Sequence, residues 1–375
     1  MPRSIPSFMD EARSLVAANR LLDATALIQA RLGGSPIDTA TASPQPFQGP
    51  TIELRAERVG RGQQEAPTDA PPPSRPRFPR PGAATPRPGF HRPTLVVPAG
   101  AEFLRLRHEG HAGARSYRLY VPSTLASGPR PLIVMLHGCT QDPEDFALGT
   151  RMNQLAEERN VLAAYPEQGR AANASLCWNW FEPAHQRRDA GEPAILAGIV
   201  EDIARSHSVD RTRIFVAGLS AGGAMAAVLG ATYPDVFAGI GIHSGLPYGS
   251  ATNVASALSV MRSGRQSGGG SRRRVRTIVF HGARDTTVHP ANGECLAGLE
   301  QAGRNRTTTQ SGSVNGRDYI RSVVAATHEE PGVEHWRVEG LGHAWSGGDA
   351  NGSYADPAGP DASREMLRFF MNELQ

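Results

Sequence analysis

The stretch Ile214-Phe215-Val216-Ala217-Gly218-Leu219-Ser220-Ala221-Gly222-Gly223 decides the reading of this chain. Four apolar residues in a row suit a strand buried on both faces. The Ala- and Gly-rich run Ser220–Tyr233 suits a helix pressed against a sheet. Between strand and helix, G-x-S-x-G places one serine on a sharp turn, where the residues two before and two after must be small to avoid a clash. The helix that follows then turns its free N–H groups and positive end toward that serine.

The same alternation of strand and helix extends in both directions. Leu132–Leu136 is a second continuous apolar run, and Arg115–Val121 alternates in strand fashion. Val161–Tyr165, Gly239–His243, Thr277–Phe280 and His335–Val338 read as further strands. Asp142–Arg159, Glu192–His207 and Ala362–Glu373 read as helices. This pattern predicts an α/β domain over residues 94–375, with a mostly parallel sheet covered by helices on both faces.

Upstream the character changes. Ala12, Leu15, Val16, Leu22, Ala26, Leu27 and Leu32 recur near helical spacing, predicting a helix over residues 7–32 within an N-terminal segment 1–34. Gly33-Gly34 ends that pattern. Residues 35–93 interleave Pro71-Pro72-Pro73, Pro76, Pro79, Pro81, Pro86, Pro88 and Pro93 with Arg, Gly and Thr. Such a segment has too little apolar content for a core and reads as a flexible tether. The apolar stripe of 7–32 makes that helix a candidate docking element for a granule surface or a protein partner.

Composition narrows the function. The formal net charge is only +3, and the one dense basic run, Arg272-Arg273-Arg274, sits beside Gly268-Gly269-Gly270 as a solvated loop, so no nucleic-acid partner is expected. No stretch approaches the ~18 apolar residues of a membrane span. The N-terminus lacks the apolar core of a secretory signal, which predicts a cytoplasmic protein, with an extracellular one as the alternative. Cys139, Cys177 and Cys295 form no C-x-x-C pair, so a zinc site is not expected. No other metal or nucleotide site stands out in the sequence, so no cofactor is expected. One bridge plus one thiol, or three thiols, both fit that count.

A nucleophilic serine needs a base and a carboxylate that orients it. In hydrolases with this elbow the chain order is serine, acid, histidine. Asp285, in His281-Gly282-Ala283-Arg284-Asp285, lies just past the strand Thr277–Phe280. Asp235 is too near the elbow, Asp318 lies in a poorly patterned stretch, and Asp349, Asp356 and Asp361 follow the best histidine. That histidine is His343, in the glycine-bracketed loop Gly340-Leu341-Gly342-His343-Ala344-Trp345. His289 is the runner-up; His328 and the strand residue His335 are weaker.

The oxyanion of such a reaction needs N–H donors. Ala221, directly after the nucleophile, supplies one. His137-Gly138-Cys139-Thr140-Gln141 follows the buried run Leu132–Leu136, and the Cys139 N–H is the expected second. His137 itself reads as a histidine bracing that turn. Trp178 and Trp180, in the aromatic cluster 177–181, are candidate substrate contacts, and Trp345 has a better claim by position.

Together, His137–Gln141, Gly218–Gly222, His281–Asp285 and Gly342–Trp345 resemble the catalytic domain of poly(3-hydroxybutyrate) depolymerase family esterases, from about Thr94 to Gln375. The resemblance implies an α/β-hydrolase fold, the triad Ser220, Asp285 and His343, an oxyanion hole at Cys139 and Ala221, and a disulfide between Cys139 and Cys177. It implies an ester or polyester substrate, namely poly(3-hydroxybutyrate) or hydroxyalkanoate oligomers, with feruloyl or acetyl-xylan esters as the alternative. Secreted polymer-degrading members carry a signal peptide and a separate substrate-binding domain, which are not expected here.

Overall fold

The described residues of the computed structural model, 95–124, 128–264, 275–302, 306–328 and 331–372, are built around a ten-stranded sheet. The helix expected over 7–32, the tether over 35–93 and the Arg-rich stretch 265–274 lie outside them. In chain order the strands are β1 (Glu102–Gly110), β2 (Gly113–Val121), β3 (Arg130–Leu136), β4 (Leu162–Pro166), β5 (Val209–Leu219), β6 (Gly239–His243), β7 (Arg276–Gly282), β8 (Thr307–Val314), β9 (Arg317–Val324) and β10 (Val333–Val338). In space the order is β1-β2-β4-β3-β5-β6-β7-β10-β9-β8. Strands β4, β3, β5, β6, β7 and β10 run parallel, and an antiparallel pair closes each end.

Strand β3 shows why the central runs lack alternation. Leu132, Val134 and Leu136 enter one apolar cluster, while Ile133 and Met135 enter the other, on the opposite face. Helices α3 (Gly191–Ser206) and α4 (Ala221–Thr232) supply the first cluster. Helices α1 (Pro143–Thr150), α2 (Met152–Arg159) and α8 (Ala362–Phe370) supply the second. Three further helices among the described residues are α5 (Val254–Ser263), α6 (Ala291–Ala297) and α7 (Leu299–Ala302).

The expected elements from 115 to 370 are present, with differences. The helix read over Asp142–Arg159 is two helices, because Arg151 adopts φ 57° and ends the first. The break falls at an Arg with no Gly or Pro beside it to mark a stop, so the sequence pattern does not reveal it. Strands β1, β8 and β9 are additions. Thr307–Val314 is polar and almost wholly exposed, and such an edge strand shows no apolar alternation to read.

Because β3, β5, β7 and β10 are parallel, the loops after their C-terminal ends emerge on one edge of the sheet. Those loops carry Gly138–Gln141, Ser220, Asp285 and His343.

Candidate active site

The turn between β5 and α4 is as tight as its glycines require. A Cβ on Gly222 would lie 2.0 Å from the Leu136 carbonyl oxygen, and one on Gly218 would lie 2.4 Å from the Gly222 carbonyl carbon. Ser220 sits between them at φ 57°, ψ −119°, a region costly for a residue with a side chain. Its N–H donates to the His243 carbonyl at 2.9 Å, which anchors the strained turn to β6.

Asp285 is buried in the turn after β7. Its Oδ1 accepts from the N–H groups of Thr287 (2.9 Å) and Val288 (2.8 Å), leaving Oδ2 for His343 Nδ1 at 2.7 Å. Burial works to raise the Asp285 pKa. The hydrogen bond and charge of His343, with His281 and the Val288 N–H, outweigh it and hold the carboxyl below its ordinary range. An ionised carboxylate only accepts, so Nδ1 of His343 carries a proton and Nε2 is the ring nitrogen not engaged by Asp285. The two loops are pressed together at Gly282, where a Cβ would meet the Leu341 carbonyl oxygen at 2.4 Å. His289, by contrast, is exposed, and its Nδ1 accepts from the Ala291 N–H at 3.2 Å.

Cys139 and Ala221 offer N–H groups that make no hydrogen bond among the described residues, although their neighbours are committed. Thr140 N donates to Ser175 O at 2.8 Å, and Gly138 N donates to Gln141 Oε1 at 2.9 Å. Gly138 faces Ser220: a Cβ there would lie 3.7 Å from the serine Cβ. A strained serine, an Asp–His pair and two open N–H groups on one sheet edge are the parts that acyl transfer through a serine uses.

The family model described as esterase PHB depolymerase matches residues 115–299, a span that holds Ser220, Asp285 and both candidate N–H donors. That segment is similar to the esterase PHB depolymerase family. A poly(3-hydroxyalkanoate) depolymerase C of Paucimonas lemoignei is 33% identical over 68% of this chain and 65% of its own length. A feruloyl esterase B of Thermothelomyces thermophilus is 29% identical over 47% of this chain and 66% of its own. The chain thus spans just under two thirds of the length of these relatives. Among solved structures, an acetyl xylan esterase from Aspergillus awamori superposes with a TM-score of 0.56 at 20% identity, over 72% of this chain and 99% of that one. The fold is the α/β-hydrolase fold of such esterases.

A disulfide joins Cys139 to Cys177, while Cys295 is not disulfide-bonded. The three tryptophans expected at the substrate are a correction. Trp178, Trp180 and Trp345 are 0%, 5% and 1% exposed, so none lines an open cleft. Trp178 donates its indole N–H to the His137 carbonyl at 3.1 Å, and Trp345 donates to Ser363 Oγ at 3.1 Å and packs edge-on against Phe146. An aromatic near a catalytic loop supports it from beneath as readily as it faces a ligand.

His137 braces the oxyanion loop as expected, but the sequence reading missed the partners behind it. His137 donates from Nδ1 to the Gly138 carbonyl at 2.8 Å and accepts at Nε2 from the Gln168 N–H at 3.1 Å. Gln168 and Asn179 in turn donate to the buried carboxylate of Glu192. Burial, the largest influence, lowers the His137 pKa, although Gly138 and the carboxylates of Asp142 and Asp145 pull the other way. On the open side, Gln141 donates to Asp145 and Ser353, and Tyr354 stands edge-on to the His343 ring at 6.4 Å. Long-range polar partners of this kind leave no local motif.

Among the described residues, no cluster of three or more His, Cys, Asp or Glu side chains is arranged to hold a metal ion, and no helix is long and apolar enough to cross a membrane.

Proposed function

We propose that this chain hydrolyses carboxylic esters through an acyl-enzyme on Ser220. The observation that carries the reading is the 2.7 Å contact of Asp285 Oδ2 with His343 Nδ1, on the sheet edge that also bears the strained Ser220. Ser220 Oγ attacks the ester carbonyl while His343 Nε2 takes its proton. The alkoxide of the tetrahedral intermediate is held by the N–H groups of Cys139 and Ala221. Collapse expels the alcohol, which leaves with the proton from His343. Water then repeats the sequence on the acyl-enzyme and releases the acid. Asp285 keeps the imidazole in its Nδ1–H tautomer and stabilises the imidazolium that forms twice per turnover.

The substrate we favour is an oligomer of 3-hydroxybutyrate or a related hydroxyalkanoate, supported by the Paucimonas relative. A feruloyl or acetylated polysaccharide ester is the second reading, supported by the feruloyl esterase relative. Hydrolysis of hydroxybutyrate oligomers, feruloyl esters and p-nitrophenyl butyrate by wild type and Ser220→Ala tests both levels. Turnover of any of these by Ser220→Ala at the wild-type rate would refute the nucleophile. Wild-type cleavage of feruloyl esters but not of oligomers would transfer the substrate to the second reading.

A further inference from the structure

His243, the last residue of β6, is fully buried and is not one of the groups assigned to proton transfer. It nonetheless touches both halves of the machinery. Its carbonyl accepts the N–H of Ser220 at 2.9 Å. Its Nε2 accepts the N–H of Ser346, three residues past His343, at 3.0 Å. Its Nδ1 faces Ser244 Oγ at 3.2 Å. Since Nε2 must accept from a backbone N–H, the proton sits on Nδ1 and is donated to that hydroxyl.

The ring is also clamped. It stacks on Trp345 with centroids 5.1 Å apart and on Phe280 at 5.8 Å. Trp345 follows His343 by two residues, and Phe280 lies on the strand that leads to Asp285. One side chain therefore meets the loop of the base and the strand of the acid, while its own carbonyl meets the nucleophile. The segment after His343 has only short strand pairing of its own, β11 (Trp345–Ser346) with β12 (Ala355–Asp356). A buried acceptor aimed at Ser346 ties that segment directly to the residue whose carbonyl anchors the elbow.

We infer that His243 is a positioning residue that holds the His343 loop in register with the Ser220 turn through the Nε2 acceptor offered to Ser346. The inference rests on the proposed roles of Ser220 and His343. Burial holds the ring neutral, with a pKa pushed down to about 3, so the acceptor persists across the working pH range.

The test separates the two ring nitrogens. Gln places its amide oxygen near the position of Nε2; Asn reaches only that of Nδ1; Phe keeps the stacking and loses both. Turnover of p-nitrophenyl butyrate is measured per active site, counted by labelling with a fluorophosphonate, with Ser220→Ala alongside. His243→Gln should keep most of the wild-type kcat. His243→Asn and His243→Phe should lose about 100-fold in kcat with KM little changed, the order expected for a misplaced catalytic group. Two active variants, or Gln falling with Asn and Phe, would overturn the proposal. If Phe does not fold, the Gln and Asn pair still decides it. Wild-type activity in Ser220→Ala would instead overturn the proposed function, whatever the His243 variants do.

Discussion

The Nδ1 of His137 lies 2.8 Å from the Gly138 carbonyl oxygen, and that carbonyl shares a peptide unit with the Cys139 N–H. In a planar trans peptide the two groups point in opposite directions. Holding the carbonyl on the His137 side therefore turns the N–H away from it, where it is open to bind an oxyanion. Gln168 N–H occupies Nε2 at 3.1 Å, which leaves Nδ1 as the donor. The indole of Trp178 on the His137 carbonyl adds a second tie to the same loop.

His137→Leu should therefore lower kcat by about 100-fold with little change in KM, the cost of misdirecting one oxyanion donor. It should also leave the Gln168 N–H buried without a partner, at about 1–3 kcal/mol of stability. Steady-state kinetics and urea unfolding of the same preparation measure both. A variant that loses stability but keeps its kcat would show that the disulfide and Trp178 hold the peptide without the imidazole.

The choice between His343 and His289 gives a second prediction. Asp285→Asn should reduce kcat by about 10⁴-fold, because an amide no longer fixes the Nδ1–H tautomer or stabilises the imidazolium. His343→Ala should be comparably inactive. His289→Ala, at an exposed ring that caps Ala291, should stay close to wild type. A reversal between the two histidine variants would move the base to the Asp285 loop itself.

Why Asp285 and His343 are legible in the sequence while Glu192 and His243 are not has a physical answer. The catalytic candidates sit where glycines must lie. Gly218, Gly222 and Gly282 each pack where a Cβ would come within about 2.5 Å of backbone, so the constraint is written into local composition. The central strands are legible for a similar reason, since both faces of β3 are buried and its run is unbroken. Glu192 acts through Gln168 and Asn179, which lie 24 and 13 residues away, and His243 acts through Ser346, 103 residues away. Contacts at such separations carry no periodicity. The tryptophans misled for the complementary reason: proximity in sequence to a catalytic loop does not say which side of the sheet a ring takes.

Stability should depend on pH through the buried histidines. Burial is the first cause in each case, and it pushes His243 and His335 down to about 3 and lowers His137 and His281 below their ordinary value. In the unfolded chain these rings protonate near pH 6.5, so below that pH the unfolded state binds more protons than the folded one. Their contribution is complete above about pH 6.5 and is lost progressively as pH falls toward 3. Asp285, also depressed in the fold, adds to the loss at the acid end. Unfolding midpoints should be level between about pH 9 and 7.5 and lower at about pH 6, falling further at about pH 4.5. His335→Leu, which removes one such ring, should make the fall shallower; an unchanged slope would mean His335 does not titrate far from 6.5 in the fold.

The disulfide between Cys139 and Cys177 closes a sequence separation of 38 residues at the oxyanion loop. Chain entropy alone gives such a crosslink about 4 kcal/mol. Cys139 supplies the candidate donor through its backbone, and Cys177 adjoins the Trp178 that bonds the His137 carbonyl. Loosening the bridge should therefore affect turnover as well as stability. Cys177→Ser should lower the unfolding free energy by about 2–4 kcal/mol and should reduce kcat at temperatures where the variant is still fully folded. Dithiothreitol should reproduce both effects in wild type and neither in Cys177→Ser. If kcat is unchanged while stability falls, the bridge acts on the unfolded chain alone, and His137 with Trp178 suffices to aim the Cys139 N–H.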